Sequence, residues 1–147
     1  MSIWWSLHLR RDAASVPLAR RLLLGTMETV GVDPDISFDL SVALSEACAN
    51  AVEHGGGGGI PDGAEEYRVT AYLDGDRCRI EVTDSGPGFP PSTVARRRPS
   101  LAEHGRGLDL IAELSDHVRL RNRPGRGAVV SFDKTLKWRD GALLKVS

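Results

Sequence analysis

Cysteine is scarce in this chain. Only Cys48 and Cys78 occur among its 147 residues, and they do not form a Cys-x-x-Cys pair. Two distant cysteines of this kind indicate no metal cluster. Cys48 lies in an apolar helical stretch and Cys78 in a strand-like one, so we interpret both as small buried residues.

Long apolar runs and an excess of charge of one sign are also missing. No run approaches the roughly 20 residues that span a membrane. The opening MSIWWSLHLRRD carries its charge after the apolar residues, which is the reverse of a secretory signal. The net charge of −1 argues against binding driven by bulk charge. We therefore expect a reduced, cytoplasmic protein without direct nucleic-acid or membrane contacts.

Apolar and charged fractions of 41% and 27% are those of a globular protein, and the length predicts a single domain over 1–147. Local patterns predict a strand at 2–10, helices at 15–31 and 33–55, strands at 66–74 and 76–84, a loop at 85–107, a helix at 108–116 and a hairpin at 117–132. Strands that arrive as adjacent hairpins favour antiparallel pairing with the helices on one face. The predicted fold class is α+β, a two-layer sandwich with a mixed, mostly antiparallel sheet.

The first two helices show apolar residues at helical spacing, as amphipathic helices do. In the first helix these residues are Leu18, Leu22, Leu23 and Met27. In the second helix they include Phe38, Val42, Ala49 and Val52.

Three polar residues interrupt the second helix at regular intervals. Glu46, Asn50 and His54 recur every four residues and form a line along one side. One interpretation is a stripe that faces solvent. The other is an acid/base carboxylate beside an oxygen ligand for a hard metal such as Mg²⁺.

Two glycine-rich segments follow farther along the chain. DSGPGF starts with Asp84 at the end of a predicted strand, and its glycines Gly86 and Gly88 allow close approach to a flat ring. HGRGLDLI sets Gly105 and Gly107 before a predicted helix, where backbone N–H groups bind phosphate well. Taken singly, the first is also compatible with an ordinary turn and the second with an ordinary helix start.

The ordered combination is more specific than its parts. E-x-x-x-N-x-x-x-H, then D-x-G-x-G after a strand, then G-x-G before a helix resembles the GHKL ATPase superfamily with its Bergerat nucleotide-binding fold, over about residues 5–133. The remaining 134–147 form a C-terminal tail. Within the superfamily, LSEACANAVEHG and GRGLDLIAELSD resemble the small anti-sigma-factor serine/threonine kinases.

The resemblance implies ATP or ADP with Mg²⁺ as cofactors and assigns roles to single residues. Glu46 is the implied general base, Asn50 the Mg²⁺ ligand and Asp84 the partner of the adenine amino group. The implied nucleotide-binding residues are Asn50, Asp84, Gly86, Gly88, Gly105, Arg106, Gly107 and Leu108. No chemistry is assigned to His54.

The same branch implies protein partners. Its members sequester a sigma factor, phosphorylate a serine of a STAS-type anti-sigma-factor antagonist, and are homodimers. Arg20 and Arg21 on the first helix are the expected partner surface, with solvated charges as the alternative. Two other functions stay open, a non-catalytic nucleotide-gated binding module and an ATP hydrolase.

Three features need separate interpretation. Ala128 stands where the family usually has a threonine whose hydroxyl helps to bind adenine. Either adenine binding is weaker by about 1 kcal/mol, or a water or Ser131 substitutes for the hydroxyl. The glycine run 55–59 follows the carboxyl end of a helix, where the dipole repels anions, so we interpret it as a flexible connection. Arg96–Arg98 lie in a short lid-like segment that closes on phosphates, docks an acidic partner or is simply solvated.

Overall fold

A computed structural model describes residues 2–54, 66–89, 106–125 and 127–140, without the side chain of Arg106. The elements in chain order are β1 Ser2–Arg10, α1 Ser15–Val30, α2 Pro34–His54, β2 Glu66–Asp74, β3 Arg77–Asp84, α3 Arg106–Leu114, β4 His117–Asn122 and β5 Ala128–Thr135. The predicted order of strands and helices is confirmed. Helix α3 begins two residues earlier than the pattern predicted, at Arg106 instead of Leu108.

The sheet has the strand order β1-β2-β3-β5-β4. Every pair is antiparallel, so the described strands form a purely antiparallel sheet, whereas the sequence predicted a mixed, mostly antiparallel one. Gly75 and Asp76 turn the chain from β2 to β3, as the Asp-Gly-Asp link predicted. The last hairpin folds back so that β5 lies between β3 and β4. As a result, Ala128, the first residue of β5, lies beside the end of β3.

The core lies between one face of the sheet and the helices. Helix α2 packs against both α1 and α3. Alternate residues of each strand point inward, as Ile80 and Val82 do in β3. The largest fully buried side chains are Phe132, Leu23, Met27, Leu40, Leu44, Leu73, Ile80, Leu108, Ile111, Val32, Val69 and Val82. This is the two-layer α+β sandwich expected from sequence.

The predicted core face of α1 is partly wrong. Leu23 and Met27 are buried, but Leu18 and Leu22 are 53% and 40% exposed. Ala19 and Val30 complete the buried stripe instead. The stripe follows i, i+4, i+8 and i+11, and Leu18 and Leu22 each precede one of its members by about 100° around the helix.

The apolar residues singled out in α2 also lie mostly outside the core. Phe38 is 64% exposed, Ala49 is exposed, and Val42 and Val52 are partly buried. The core side of α2 consists of Ile36, Leu40, Ala43, Leu44, Ala47, Cys48 and Ala51. Many of these side chains are small, which lets α1 and α3 approach α2 closely.

The chain after β5 returns to the junction between α1 and α2. Leu136 is buried, and Trp138 forms an isolated bridge with Val32. Asp33 N–H donates to the Lys137 carbonyl at 2.7 Å. Among the helices in the described ranges, none is long and apolar enough to cross a membrane.

Candidate functional site

Asp84 ends β3 at the point where the first glycine-rich loop begins. The residue is only 8% exposed. Its Oδ1 accepts hydrogen bonds from Gly86 N–H at 2.9 Å and from Ala128 N–H at 3.3 Å. Within the described residues both hydrogen bonds to this carboxylate end on Oδ1, so Oδ2 is the oxygen that can accept from a ligand.

Burial raises the pKa of the Asp84 carboxyl above its ordinary value. The backbone hydrogen bonds from Gly86 and Ala128 and the charges of Arg123 and Arg11 oppose this effect, because they favour the ionised form. A hydrogen bond is electrostatically stronger in such a poorly hydrated place than in water. The site is therefore suited to a neutral N–H donor such as an exocyclic amine.

The loop after Asp84 is attached to the end of β4 by one side chain. Asn122 Oδ1 accepts from Phe89 N–H at 2.7 Å, and Asn122 Nδ2 donates to the Phe89 carbonyl at 3.0 Å. Gly88 has a φ of 85°, and a Cβ there would lie 2.6 Å from Asn122 Oδ1. Only glycine combines this backbone angle with so close an approach. Contact with Asn122 thus explains the second glycine of DSGPGF.

The turn between β4 and β5 contacts Asp84 from the other side. Arg123 Nη1 donates to the Asp84 carbonyl at 3.3 Å and to the Ser85 hydroxyl at 3.5 Å. Gly127 has a φ of 129°, and a Cβ there would overlap the Asp84 carbonyl oxygen. Sequence patterns identified only a hairpin turn here. The contact of this turn with Asp84 could have been inferred from Gly127, because it directly precedes Ala128, which was already expected near adenine.

Ala128 contributes its backbone to this cluster. It opens β5, is buried, and donates its N–H to Asp84. Ser131 cannot supply the hydroxyl that Ala128 lacks, because side chains alternate along β5 and Ser131 lies on the opposite face of the sheet. There it lines a groove with Arg79 and Arg119.

Glu46 on α2 faces the beginning of α3. The residue is half-buried, and a Cβ at Gly107 would lie 3.2 Å from Glu46 Oε2 and 3.9 Å from Glu46 Cβ. A larger residue at 107 would press on the carboxylate. The first turn of a helix presents N–H groups without intrahelical partners. The contact therefore places the Glu46 carboxylate beside the amino-terminal end of α3, which could bind phosphate.

Asn50 and His54 continue the polar line of α2 toward its carboxyl end. Asn50 is half-buried like Glu46, whereas His54 is exposed. His54 Nε2 lies 3.7 Å from Glu53 Oε2. The predicted line is therefore partly buried at its first two members and open to solvent at its last.

Asn50 is the magnesium ligand that the family resemblance implies. In the parts of the chain that the structure describes, no cluster of three or more His, Cys, Asp or Glu side chains could hold a metal ion. Asn50 offers a half-buried amide oxygen. Mg²⁺ takes oxygen ligands, keeps several waters and is commonly held by one or two protein groups plus substrate phosphates. The residues present fit an ion that arrives with a nucleotide.

The predicted phosphate segment is described only in part. Gly105 and the Arg106 side chain lie outside the described residues, as do the glycines 55–59 and Arg96–Arg98. The Arg106 backbone is the first residue of α3. Leu108 is fully buried, so its side chain belongs to the core and only its backbone can face a ligand.

Arg20 and Arg21 are exposed on α1. Arg21 lines a groove of about 640 Å³ between α1 and β1, and its other lining residues are mainly apolar. Arg20 and Arg21 both border an adjoining groove on the same helix. The exposed leucines beside them are Leu18, Leu22 and Leu24. The sequence predicted the two arginines here, but not the apolar strip that they flank.

Two solved structures share this fold over nearly the whole chain. The SiaB–SiaC complex from Pseudomonas aeruginosa aligns with a TM-score of 0.66 and 15% identity, covering 90% of this chain and 89% of that one. The RsbU and RsbW domains of Rv1364c from Mycobacterium tuberculosis align with a TM-score of 0.64 and 23% identity, covering 97% of this chain. This chain spans only 35% of that second one. At these identities the likeness shows the fold alone.

Sequence relatives and a family model identify the family, whereas the solved structures show only the fold. The Bacillus subtilis (strain 168) protein named Serine-protein kinase RsbW is 31% identical over 140 residues, covering 83% of this chain and 86% of that protein. The Pasteuria penetrans protein named Anti-sigma F factor is 34% identical over 113 residues, covering 72% and 74%. These matches confirm the resemblance to the anti-sigma-factor branch. A model of the histidine kinase-like ATPase domain matches residues 9–134, and the chain belongs to that family.

Proposed function

We propose that this chain is an anti-sigma factor that binds ATP and transfers its γ-phosphoryl group to a serine of a protein partner. The observation that carries the proposal is the approach of α2 and α3, which sets the Glu46 carboxylate beside Gly107. Phosphoryl transfer needs groups that hold the phosphates and a group that orients the attacking hydroxyl. The name of the first relative, a serine-protein kinase, supports a serine as the acceptor. The name of the second supports the role as an anti-sigma factor.

The nucleobase end of the proposed site is centred on Asp84. Its Oδ2 accepts a hydrogen bond from the adenine amino group, while Gly86 and Ala128 hold Oδ1. Gly86 and Gly88 let the backbone lie close to the ring. Because Ala128 has no hydroxyl, water replaces one protein contact with adenine. We expect the free energy of ATP binding to be weaker by about 1 kcal/mol, the net value of a typical hydrogen bond.

The phosphate end of the proposed site comes from α2 and α3. The backbone of Gly105, Arg106, Gly107 and Leu108 contacts the phosphates at the positive end of the α3 dipole. Asn50 would hold Mg²⁺, and the bound ion would neutralise charge on the phosphates. Glu46 accepts the proton of the serine hydroxyl as general base. His54 has no role in this proposal.

The proposed partners are a sigma factor and a STAS-type antagonist that carries the serine. Arg20 and Arg21, with the apolar strip of α1, form the partner surface, since arginines beside exposed apolar residues are typical of interfaces. We further propose a cytoplasmic homodimer of one histidine kinase-like ATP-binding domain per chain. The span of the family model, residues 9–134, supports the single domain.

The test compares Glu46→Gln with Glu53→Gln, two neutral replacements on the same helix. Glu53 has a side chain that is 75% exposed, so its variant is the matched control. ATP affinity is measured by calorimetry with Mg²⁺. Transfer is measured by phosphoserine mass spectrometry on STAS-domain proteins of the source genome, each purified and supplied separately.

We expect Glu46→Gln to bind ATP within about threefold of the unchanged protein and to lose transfer by roughly 100-fold or more, the usual effect of removing a general base. Glu53→Gln should retain both. Transfer that survives Glu46→Gln would refute the assigned base. ATP binding without phosphoserine on any STAS protein would indicate a non-catalytic module, and steady ADP release without a partner would indicate a hydrolase.

A further inference from the structure

Asn122 is a polar residue at the site that the sequence motifs did not identify. It is the last residue of β4, and β4 is an edge strand of the sheet. Both ends of its carboxamide pair with one backbone unit, the N–H and the carbonyl of Phe89. This bidentate contact copies the hydrogen bonding that a neighbouring strand would offer, and so it orders the loop at Phe89.

The contacts of this turn continue to the Asp84 carboxylate. Asn122 fixes the far end of the loop at Phe89, while Arg123 binds the near end through the Asp84 carbonyl and the Ser85 hydroxyl. Between these two points, Gly86 N–H donates to Asp84 Oδ1. A displacement of the loop would therefore change the direction in which Oδ2 faces a ligand.

We infer that Asn122 is a positioning residue for nucleobase recognition, acting through the loop of residues 85–89. The inference rests on the proposed function, because it concerns the same adenine-binding aspartate. An oxygen that accepts from an exocyclic amine discriminates by direction as well as by distance. Loss of the Asn122 contact should therefore weaken the preference for adenine and leave the phosphate contacts unchanged.

The experiment measures ATP and ITP affinity by calorimetry for the unchanged protein and for Asn122→Ala. ITP carries a carbonyl oxygen where ATP carries the amine, so the ratio of the two affinities reports on the base contact alone. We expect Asn122→Ala to weaken ATP binding about tenfold, the effect of losing most of the one hydrogen bond between the adenine amine and Asp84, and to change ITP binding by less than about twofold. Arg121→Ala, at the exposed neighbouring position, should leave both affinities unchanged.

A second readout separates positioning from general destabilisation. Amide hydrogen exchange of Gly86 and Phe89 should accelerate in the variant, while exchange in the centre of β5 should not. If Asn122→Ala does not fold, Asn122→Asp takes its place. It keeps the acceptor for Phe89 N–H but sets a carboxylate oxygen against the Phe89 carbonyl, so the preference for ATP should fall in the same direction.

The outcomes distinguish this inference from the function on which it rests. An unchanged protein that binds no ATP would overturn both. If the unchanged protein prefers ATP and the folded Asn122 variant keeps that preference within about twofold, the positioning role is wrong and the proposed function stands. A parallel loss of ATP and ITP affinity would also overturn it, since that pattern indicates general damage to the site.

Discussion

Asp84 illustrates at the scale of one residue how a binding group opposes stability. Its carboxylate lies where water is largely excluded, and burial is the main cause of its raised pKa. Because the folded pKa lies above the unfolded value, the contribution of this group to stability is complete below the unfolded pKa. That contribution is lost as the pH rises through the folded pKa. Ionisation of the buried side chain is therefore a net cost to the fold.

Asp84→Asn should remove this cost. Its amide oxygen stays with the N–H groups of Gly86 and Ala128, so the accepting Oδ2 is replaced by an NH₂ donor. At pH 7 we expect the melting temperature to rise, because the variant removes the desolvation cost of the buried charge. The gain should shrink as the pH approaches about 4, the ordinary pKa of an aspartate. Thermal unfolding followed by circular dichroism at both pH values measures it.

Binding provides the second measurement for the same variant. Asp84→Asn should abolish the preference for ATP over ITP, because the NH₂ group in the place of Oδ2 cannot accept from the adenine amine. Asp140→Asn at an exposed position is the control and should change neither quantity. A lower melting temperature for Asp84→Asn at neutral pH would contradict this account of the site.

The two cysteines are also buried, but unlike Asp84 they have no role in the proposed site. Both are fully buried, as the sequence predicted. Burial raises the pKa of Cys48 and of Cys78 to about 12. Their thiols are therefore protonated at neutral pH, which makes them poor nucleophiles and poor metal ligands.

The hairpin of β4 and β5 is the element that completes the site. Its turn carries Arg123, Gly125 and Gly127, and the last two have positive φ values. They differ in their surroundings. A Cβ at Gly125 would meet nothing within 4 Å, whereas one at Gly127 would overlap the Asp84 carbonyl oxygen and approach Arg123 Cδ to 2.9 Å.

Alanine substitutions at Gly125 and Gly127 compare two costs in the free energy of unfolding. The first reports backbone strain, and the second adds the contact with Asp84. Gly125→Ala should cost about 1 kcal/mol, the usual penalty for a side chain in the left-handed region. Gly127→Ala should cost roughly 3 kcal/mol or more, because the turn must also move away from β3. Urea denaturation gives both values. Equal costs would mean that the turn does not press on Asp84 as the structure has it.

At the scale of the whole molecule, the last described residues close the fold. Leu136 is 4% exposed, and its N–H donates to the Asp76 carbonyl in the β2–β3 turn. Arg139 N–H donates to the Gly31 carbonyl at 2.9 Å, at the end of α1. The chain after β5 thereby joins the two layers of the sandwich.

Leu136→Ala should therefore destabilise the protein by about 2–4 kcal/mol, as buried leucine truncations do. Leu18→Ala is the matched control. Its side chain is 53% exposed on α1, so it should cost less than about 0.5 kcal/mol. Chemical denaturation of the two variants provides the comparison. A negligible loss for Leu136→Ala would show that the segment after β5 does not contribute to the core.

Local sequence was sufficient for much of the molecule. Strand alternation, helical spacing and turn residues predicted the order of the elements and both hairpins, because these patterns depend on residues close together in the chain. The same reading singled out Asp84, Glu46 and Gly107 as candidates. Burial of Asp84 and the contact of Glu46 with Gly107 fit that selection, while their roles in binding and transfer stay predictions.

Only the tertiary structure decided which leucines of α1 enter the core and which residues surround Asp84. Leu18 and Leu22 are as apolar as Leu23, and what separates them is the position of α2 and the sheet around the helix. Arg123 reaches Asp84 across 39 positions in sequence. No local pattern encodes such a contact, because it forms only when β5 pairs between β3 and β4 and brings its turn to the end of β3.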